Sequence, residues 1–547
     1  MFKDSTLVLL LCFSFFTSCA QQNIEDYIGK WEGKTTNKDA LNLDITIKKL
    51  KGEDAFFTLS NNKEILTKKF KFGNKINFTL DKNFIFNGIV NDEQSEINGF
   101  IKSKGYLYPA NLYKKGDHFI GKWNLSVFHY LQPQSLRLTI KDGGGADDEY
   151  RAYPILGTLW CNDFKKKNNF VSFTDYKTGL EFEGQLKPTE IILNISLGGN
   201  FIAKASFRKY TGKSSSGSVN ENSQINDGWK SSKNRLALPK MEKGIRNDSL
   251  IGIEGILVAK NSKITYEKYF AGFNANIPHD TRSASKSVSS AIIGIAIDDN
   301  IIENVEQKLY DFIPSDYQYT KDTLKSKITI KDLLTMSSGL DVNKLAYEGY
   351  YQDSNNWLKT VLEAPMVKAP GTYADYGSAN PFLLGVYLSK RLDVPLEFYM
   401  ADKLFSPLGI TNYTMNTDDT GITPYFGGGL HLTPRDILKF GQLYLNKGTW
   451  NGKRIISENW VEESFEKHVQ LQDRNKNEYG YLWWHSTYIV NGKTITSIEA
   501  RGAGGQFIFI VPTLESVVVI TAGNYKNRKG NQSREIFEEY ILPALLN

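Results

Sequence analysis

Two runs near the end of the chain are apolar at almost every consecutive position: Gln506-Phe507-Ile508-Phe509-Ile510-Val511 and Ser516-Val517-Val518-Val519-Ile520-Thr521. Neither has a face to give to water, so each has to sit inside a sheet covered on both sides. Far earlier, Gly255-Ile256-Leu257-Val258-Ala259 and Lys263-Ile264-Thr265-Tyr266-Glu267-Lys268-Tyr269 flank Asn261-Ser262 and read as a hairpin. Helical and loop segments fill most of the interval to about Phe465, and Arg534 to Leu546 reads as a closing amphipathic helix. Strands at both ends with helices between predict one antiparallel sheet built from the two termini of a domain, with a helical region inserted. The expected class is α+β, over residues 227–547.

The residues before that domain follow a different period. Leu41, Leu43, Ile45 and Ile47 alternate with polar neighbours, as do Ile76, Phe78 and Leu80, then Leu136, Leu138 and Ile140, then Ile191, Leu193, Ile195 and Leu197. A period of two marks half-buried antiparallel strands. Ile28-Gly29-Lys30-Trp31 returns as Ile120-Gly121-Lys122-Trp123. The repeat predicts two small all-β modules, 20–115 and 116–212, each opened by a Gly-Lys-Trp strand, as barrels or sandwiches. They serve either as a spacer or packing partner for the following domain, or as a ligand-binding or docking surface. Residues 213–226, with Ser214-Ser215-Ser216-Gly217-Ser218, read as a flexible linker.

The first residues are a processing segment. Lys3 precedes the apolar run Leu7 to Phe16, which is too short to span a bilayer as a helix. Phe16-Thr17-Ser18-Cys19 then resembles a bacterial lipoprotein signal over 1–19, with Cys19 as the lipidated residue. The alternative is an ordinary secretory signal cut near Ala20. The lipid reading places the protein outside the cytoplasm, tethered to a bacterial membrane on its periplasmic or outer-membrane side. Of the three cysteines, only Cys161 lies beyond this segment, so no intrachain disulfide framework is expected. The six histidines form no His-x-x-x-His pair, and no metal or organic cofactor is expected. A net charge of +6 over 547 residues, with no polybasic block, gives no case for nucleic-acid binding.

Chemistry enters at Thr281 to Asn300. Val288, Ile292, Ile295 and Ala296 recur at helical spacing, and Asp280 and Thr281 stand where a helix N-cap is expected. That places Ser283 in the first turn with Lys286 one turn along on the same side. A serine hydroxyl needs a base to take its proton, and a lysine held in its amine form can serve. Ser-x-x-Lys also occurs at Ser60/Lys63, Ser206/Lys209 and Ser464/Lys467, but only the Ser283 copy opens a strongly apolar helix. A second group is Pro370-Gly371-Thr372 through Tyr376-Gly377-Ser378. It reads as a loop before a helix from Phe382 to Lys390, capped by Asn380-Pro381. A third is Glu499-Ala500-Arg501-Gly502-Ala503-Gly504-Gly505-Gln506. It is either a bulge entering the strand or a place where a ligand approaches backbone N–H groups.

Taken in order, these stretches resemble the serine β-lactamase-like hydrolases of the class C type. Ser283-Ala284-Ser285-Lys286 is similar to the family's nucleophile motif. Ile330 through Thr335-Met336-Ser337-Ser338-Gly339-Leu340 resembles its "LLTHTSGL" stretch, and Pro370 to Ser378 its "PGxxFxYSN" loop. Gly427-Gly428-Gly429-Leu430 through Gly441-Gln442-Leu443-Tyr444 is similar to "GGLxxTxxDxxKFGQLYL". The resemblance implies a β-lactamase/transpeptidase-like fold. It implies Ser283 as acyl-forming nucleophile, Lys286 as its base and Tyr376 as proton-transfer partner. The oxyanion hole it implies uses the N–H of Ser283 and one from Gly502–Ala503.

Two departures from the family pattern bear on substrate. Ser378 stands where the family has asparagine. The cationic strand motif has no clean match, Glu499 falling at its position and leaving Arg501 as the candidate substitute. These departures favour an esterase or amidase acting on a small-molecule or peptide-like ester or amide. A D-amino-acid peptidase or β-lactamase is the alternative. A non-catalytic binding or sensor protein on a hydrolase fold is the alternative of another class.

Overall fold

The computed structural model describes residues 24–547 apart from 36–41, 51, 61–63, 82–83, 104, 125–134, 142–150, 155–160, 176–179, 210–226, 271–272, 418–423, 474 and 525–527. The signal segment 1–19 with Cys19, and the linker 213–226, lie outside the described residues. Among the described residues, no helix is long and apolar enough to cross a membrane, and no cluster of three or more His, Cys, Asp or Glu is placed to hold a metal ion.

The hairpin and the terminal strands meet as expected. Ile253–Lys260 pairs antiparallel with Lys263–Tyr269 on one side and with Ser516–Ala522 on the other. The sheet continues through Gln506–Val511, Lys493–Gly502 and Trp484–Val490. Asn261 and Ser262 have φ of 51° and 57°, the paired left-handed conformation whose twist suits a two-residue hairpin. Gln506–Val511 and Ser516–Ala522 are buried at every position. Ile508, Ile510, Val517 and Val519 face the inserted helices, whereas Phe507, Phe509, Val518 and Ile520 face the C-terminal helical segment through Phe537, Ile541 and Leu542. Consecutive apolar residues thus serve two cores, one on each side of the sheet.

The helix expected after Thr281 is offset from its predicted start. Arg282–Ser285 is a 3₁₀ turn, and the α-helix runs Lys286–Asp298. No side chain caps either start, because the Thr281 hydroxyl donates instead to the Leu430 carbonyl at 2.5 Å. The helix is buried all round from Lys286 to Ala296 rather than on one face. Ser287 and Ser289 are accommodated there by donating to the carbonyls of Leu482 and Phe426. The second helix also starts earlier than predicted, at Ala379, and ends at Ser389. Ser378 therefore occupies the N-cap position, and Asn380 lies inside the first turn.

The N-terminal strands differ from expectation in their pairing. Gly29–Thr35 lies between Ser135–Lys141 and Asn200–Lys209, in the sheet of the later strands. His118–Asn124 instead pairs with Asn42–Lys49 and Leu112–Lys115, in the sheet of the earlier ones. The two Gly-Lys-Trp strands are exchanged. Both place a buried indole, Trp31 or Trp123, into one continuous apolar core that runs from Tyr27 to Phe207. Near-identical strands can fill either seat, so sequence similarity alone does not fix which sheet each joins.

The earlier sheet does not end with the module. Tyr106–Pro109 pairs with Tyr413–Asn416, which pairs with Leu430–Leu432, which pairs with His279–Asp280. Four strands thus lead from the N-terminal region to the residue before Thr281.

Candidate active site

Ser283 is presented by a strained turn. Arg282, immediately before it, has φ of 48°, a left-handed conformation that costs a non-glycine residue energy and persists only where surroundings enforce it. Asp280 supplies that enforcement. One carboxylate oxygen accepts the Arg282 N–H at 3.1 Å, and the other pairs with the Arg282 side chain at 3.1 Å. The Arg282 carbonyl then accepts from the Ser285 hydroxyl at 2.8 Å.

Lys286, 1% exposed, converges on Ser283. Its Nζ lies 2.8 Å from Ser283 Oγ and 3.0 Å from Ser378 Oγ, and it also donates to the Gly427 carbonyl. The carbonyl can only accept, and a hydroxyl can do either. In the amine form, Lys286 can donate to Gly427 and Ser378 and turn its lone pair to the Ser283 proton. Ser378 reaches the lysine from the N-cap position of the Ala379–Ser389 helix.

Tyr376 completes the group from one side. Lys286 Nζ is 5.3 Å from the centre of its ring, which packs against Trp484 at 5.0 Å and edge-on to Tyr479 at 6.2 Å. Burial, with Tyr376 adding to it, pushes the Tyr479 phenol well above its ordinary range, so Tyr479 stays protonated as a packing ring.

The glycine-rich strand end closes the opposite side. A methyl group on Gly502 would collide with the Thr281 carbonyl and lie 3.2 Å from the Ala284 nitrogen, the residues flanking the nucleophile turn. The absence of a side chain there lets strand backbone approach Ser283, as an oxyanion hole requires. Ala503 follows on the exposed turn. Arg501 points elsewhere. Its guanidinium bonds Glu499 at 2.7 Å, Ser486 at 2.6 Å and Asn477 at 3.4 Å, and lies 4.6 Å from the Trp484 ring centre. Glu499, fully buried, also accepts from Tyr488 at 2.7 Å.

Of the residues singled out from sequence, the structure gathers Ser283, Lys286, Tyr376, Ser378 and Gly502 and commits Arg501 to a structural network. Sequence reading missed the Gly427 carbonyl, although its glycine run was visible, and it missed Asp280 as the anchor of a left-handed residue. Arginine gives no sign of that conformation; glycine or asparagine would have.

Known proteins resemble part of this chain. The 6-aminohexanoate-dimer hydrolase of Paenarthrobacter ureafaciens is 23% identical over 292 residues, 49% of this chain and 71% of that protein. Beta-lactamase-like protein 4 of Dictyostelium discoideum is 26% identical over 287 residues, 44% of this chain and 49% of its own length. The penicillin binding protein structure from Bacillus halodurans covers 53% of this chain and 97% of its own, at 18% identity and a TM-score of 0.41. The family model described as Beta-lactamase matches residues 247–539, more than half of the chain, and the protein is therefore a member of that family of serine β-lactamase-like hydrolases.

Proposed function

We propose that the protein hydrolyses an ester or amide through an acyl-enzyme on Ser283. The observation that carries this is the 2.8 Å contact between Lys286 Nζ and Ser283 Oγ, with the remaining lysine contacts fixed by Ser378 and Gly427. Ser283 Oγ attacks the substrate carbonyl carbon while its proton passes to Lys286 Nζ. The oxyanion forms against the N–H of Ser283 and one from Gly502–Ala503. Collapse breaks the bond to the leaving alcohol or amine, which takes the proton from Lys286 by way of Tyr376. Water then attacks the acyl carbon while its proton passes to Lys286 along the same route, and collapse breaks the bond to Ser283 Oγ, which takes that proton and leaves the free acid.

The commitment of Arg501 to Glu499, Ser486 and Asn477 supports a substrate with no carboxylate at that place, and so an esterase or amidase ahead of a D-amino-acid peptidase or β-lactamase. The relative named 6-aminohexanoate-dimer hydrolase supports the same ordering.

Mass spectrometry after exposure to an activated-ester probe and to penicillin tests the assignment. An ester adduct on Ser283, absent in Ser283→Ala, is expected; an unlabelled protein that retains tight ligand binding would instead make it a receptor on a hydrolase fold. Hydrolysis of cephalosporins faster than simple esters overturns the substrate order. The site is proposed to work outside the cytoplasm on a lipid tether at Cys19, which predicts loss of fatty-acid labelling in Cys19→Ser.

A further inference from the structure

The N-terminal strands reach the catalytic machinery. Phe100 and Leu107 belong to the apolar core of the hydrolase domain, apart from the core shared by the other N-terminal strands. Phe100 packs edge-on against Phe398 at 4.9 Å. Leu107 stands opposite Met415 and Tyr106 opposite Asn416 in the strand pairing, and the Thr417 N–H donates to the Gly105 carbonyl at 2.7 Å. Across the next strand, the Tyr106 ring lies 5.8 Å from the His431 ring, and both residues are fully buried. His431 stands opposite Asp280 in the register, its Nε2 3.8 Å from the Asp280 carboxylate. Asp280 in turn holds Arg282 left-handed, directly before Ser283.

We propose that the N-terminal β region is a positioning element of the active site, in which Tyr106 seats His431 against Asp280 and so fixes the turn that presents Ser283 to Lys286. A left-handed arginine relaxes unless its surroundings over-determine it. The Asp280 carboxylate is what holds it, and the His431 imidazole is what Asp280 backs onto. Removing the Tyr106 ring opens space beside that imidazole, which can turn into it and free the carboxylate. Ser283 Oγ then leaves its line to Lys286, and a displacement of this kind slows chemistry far more than it weakens binding. The strand register makes the coupling stiff, because Gly105, Tyr106 and Leu107 are all anchored to the hydrolase domain. The inference rests on Ser283 being the nucleophile.

Single-turnover acylation by an activated-ester probe, on the full chain, provides the test. The rate is taken per site that labels at the end point, so that misfolded protein does not enter it. Tyr106→Ala is expected to slow acylation on the order of ten- to a hundredfold with little change in KM. Tyr106→Phe, which keeps the ring, should recover most of that rate. Tyr113→Ser, at an exposed position of the same region, should acylate as the unaltered protein does. Acylation by Tyr106→Ala at the unaltered rate, or equal damage from Tyr106→Phe, overturns the positioning role. Ser283→Ala separates the two readings. A silent Ser283→Ala with an unaffected Tyr106→Ala defeats the positioning role alone, whereas full labelling in Ser283→Ala defeats the nucleophile assignment and the positioning role with it.

Discussion

The N-terminal strands and the hydrolase domain bury different kinds of residue. Among the described residues, every buried polar or charged side chain lies from Thr265 onward, and none lies in the N-terminal strands. The strands from Gly29 to Lys209 fill their interior with rings and branched aliphatics such as Phe57, Phe86 and Leu193. The hydrolase domain instead buries Asp280, Lys286, His431 and Glu499. Burying such groups costs free energy unless each finds a partner. A region whose interior is built from packed strands can avoid them, while one that carries a candidate acid–base site cannot. The contrast favours the hydrolase domain as the seat of the candidate site without reference to any motif.

That contrast can be broken in the order of expected effect. Ser283→Ala and Lys286→Ala should each lower turnover by about 10⁴-fold or more, and the double variant should be no worse, because the two act as one unit. Steady-state kinetics of the three variants reads this, and an additive double would separate their roles. Next, Glu499→Gln should destabilise the hydrolase domain by about 3 kcal/mol, since it weakens the hold on a guanidinium that packs over Trp484. Urea unfolding measures the loss, and turnover should fall with it because Trp484 packs on Tyr376.

Leu193→Ala, at a fully buried position of the N-terminal core, should cost about 2–4 kcal/mol by leaving a cavity. Turnover of the folded fraction should be unaffected, in contrast with Tyr106→Ala from the same region. Loss of turnover per folded molecule in Leu193→Ala would show that the whole β region, not the Tyr106 strand, is coupled to Ser283.

A pH-dependent effect of similar size lies where the two regions meet. Burial pushes the Glu397 carboxyl from 4.5 up to about 7, the Lys102 charge opposing the rise, with the Tyr413 ring beside it. The native state therefore holds this proton to a higher pH than the unfolded chain does. Stability from this group is full below the unfolded value and is lost progressively as pH rises from about 4.5 to about 7, by up to about 3 kcal/mol. Urea midpoints on either side of that window should differ in the unaltered protein and converge in Glu397→Gln. An unchanged pH dependence in Glu397→Gln would place the titrating group elsewhere.

Much of this was legible in the chain. Apolar runs without a polar face announced the central strands, alternation announced the N-terminal sheets, and ordered short motifs picked Ser283 from four Ser-x-x-Lys copies. The exchange of the two Gly-Lys-Trp strands was not legible, because both carry the same residues and an inward tryptophan. Nor was the fate of Arg501. A lone arginine beside a glycine-rich turn reads as a candidate cation for substrate, and only the positions of Glu499, Asn477 and Ser486 show its hydrogen bonds already taken.

By itself, the sequence determined the α+β class and the all-β region before it, and it singled out Ser283, Lys286 and Tyr376 as candidates. The class and the strands depend on periodicity, and the candidates on short motifs whose order resembles that of the family. The tertiary structure alone decided that Gly427 and Ser378 bind the lysine, that Asp280 holds Arg282 left-handed, and that Tyr106 stands behind His431. Those contacts join residues up to some 325 positions apart, between His431 and Tyr106, and no local pattern records a distance across a sheet.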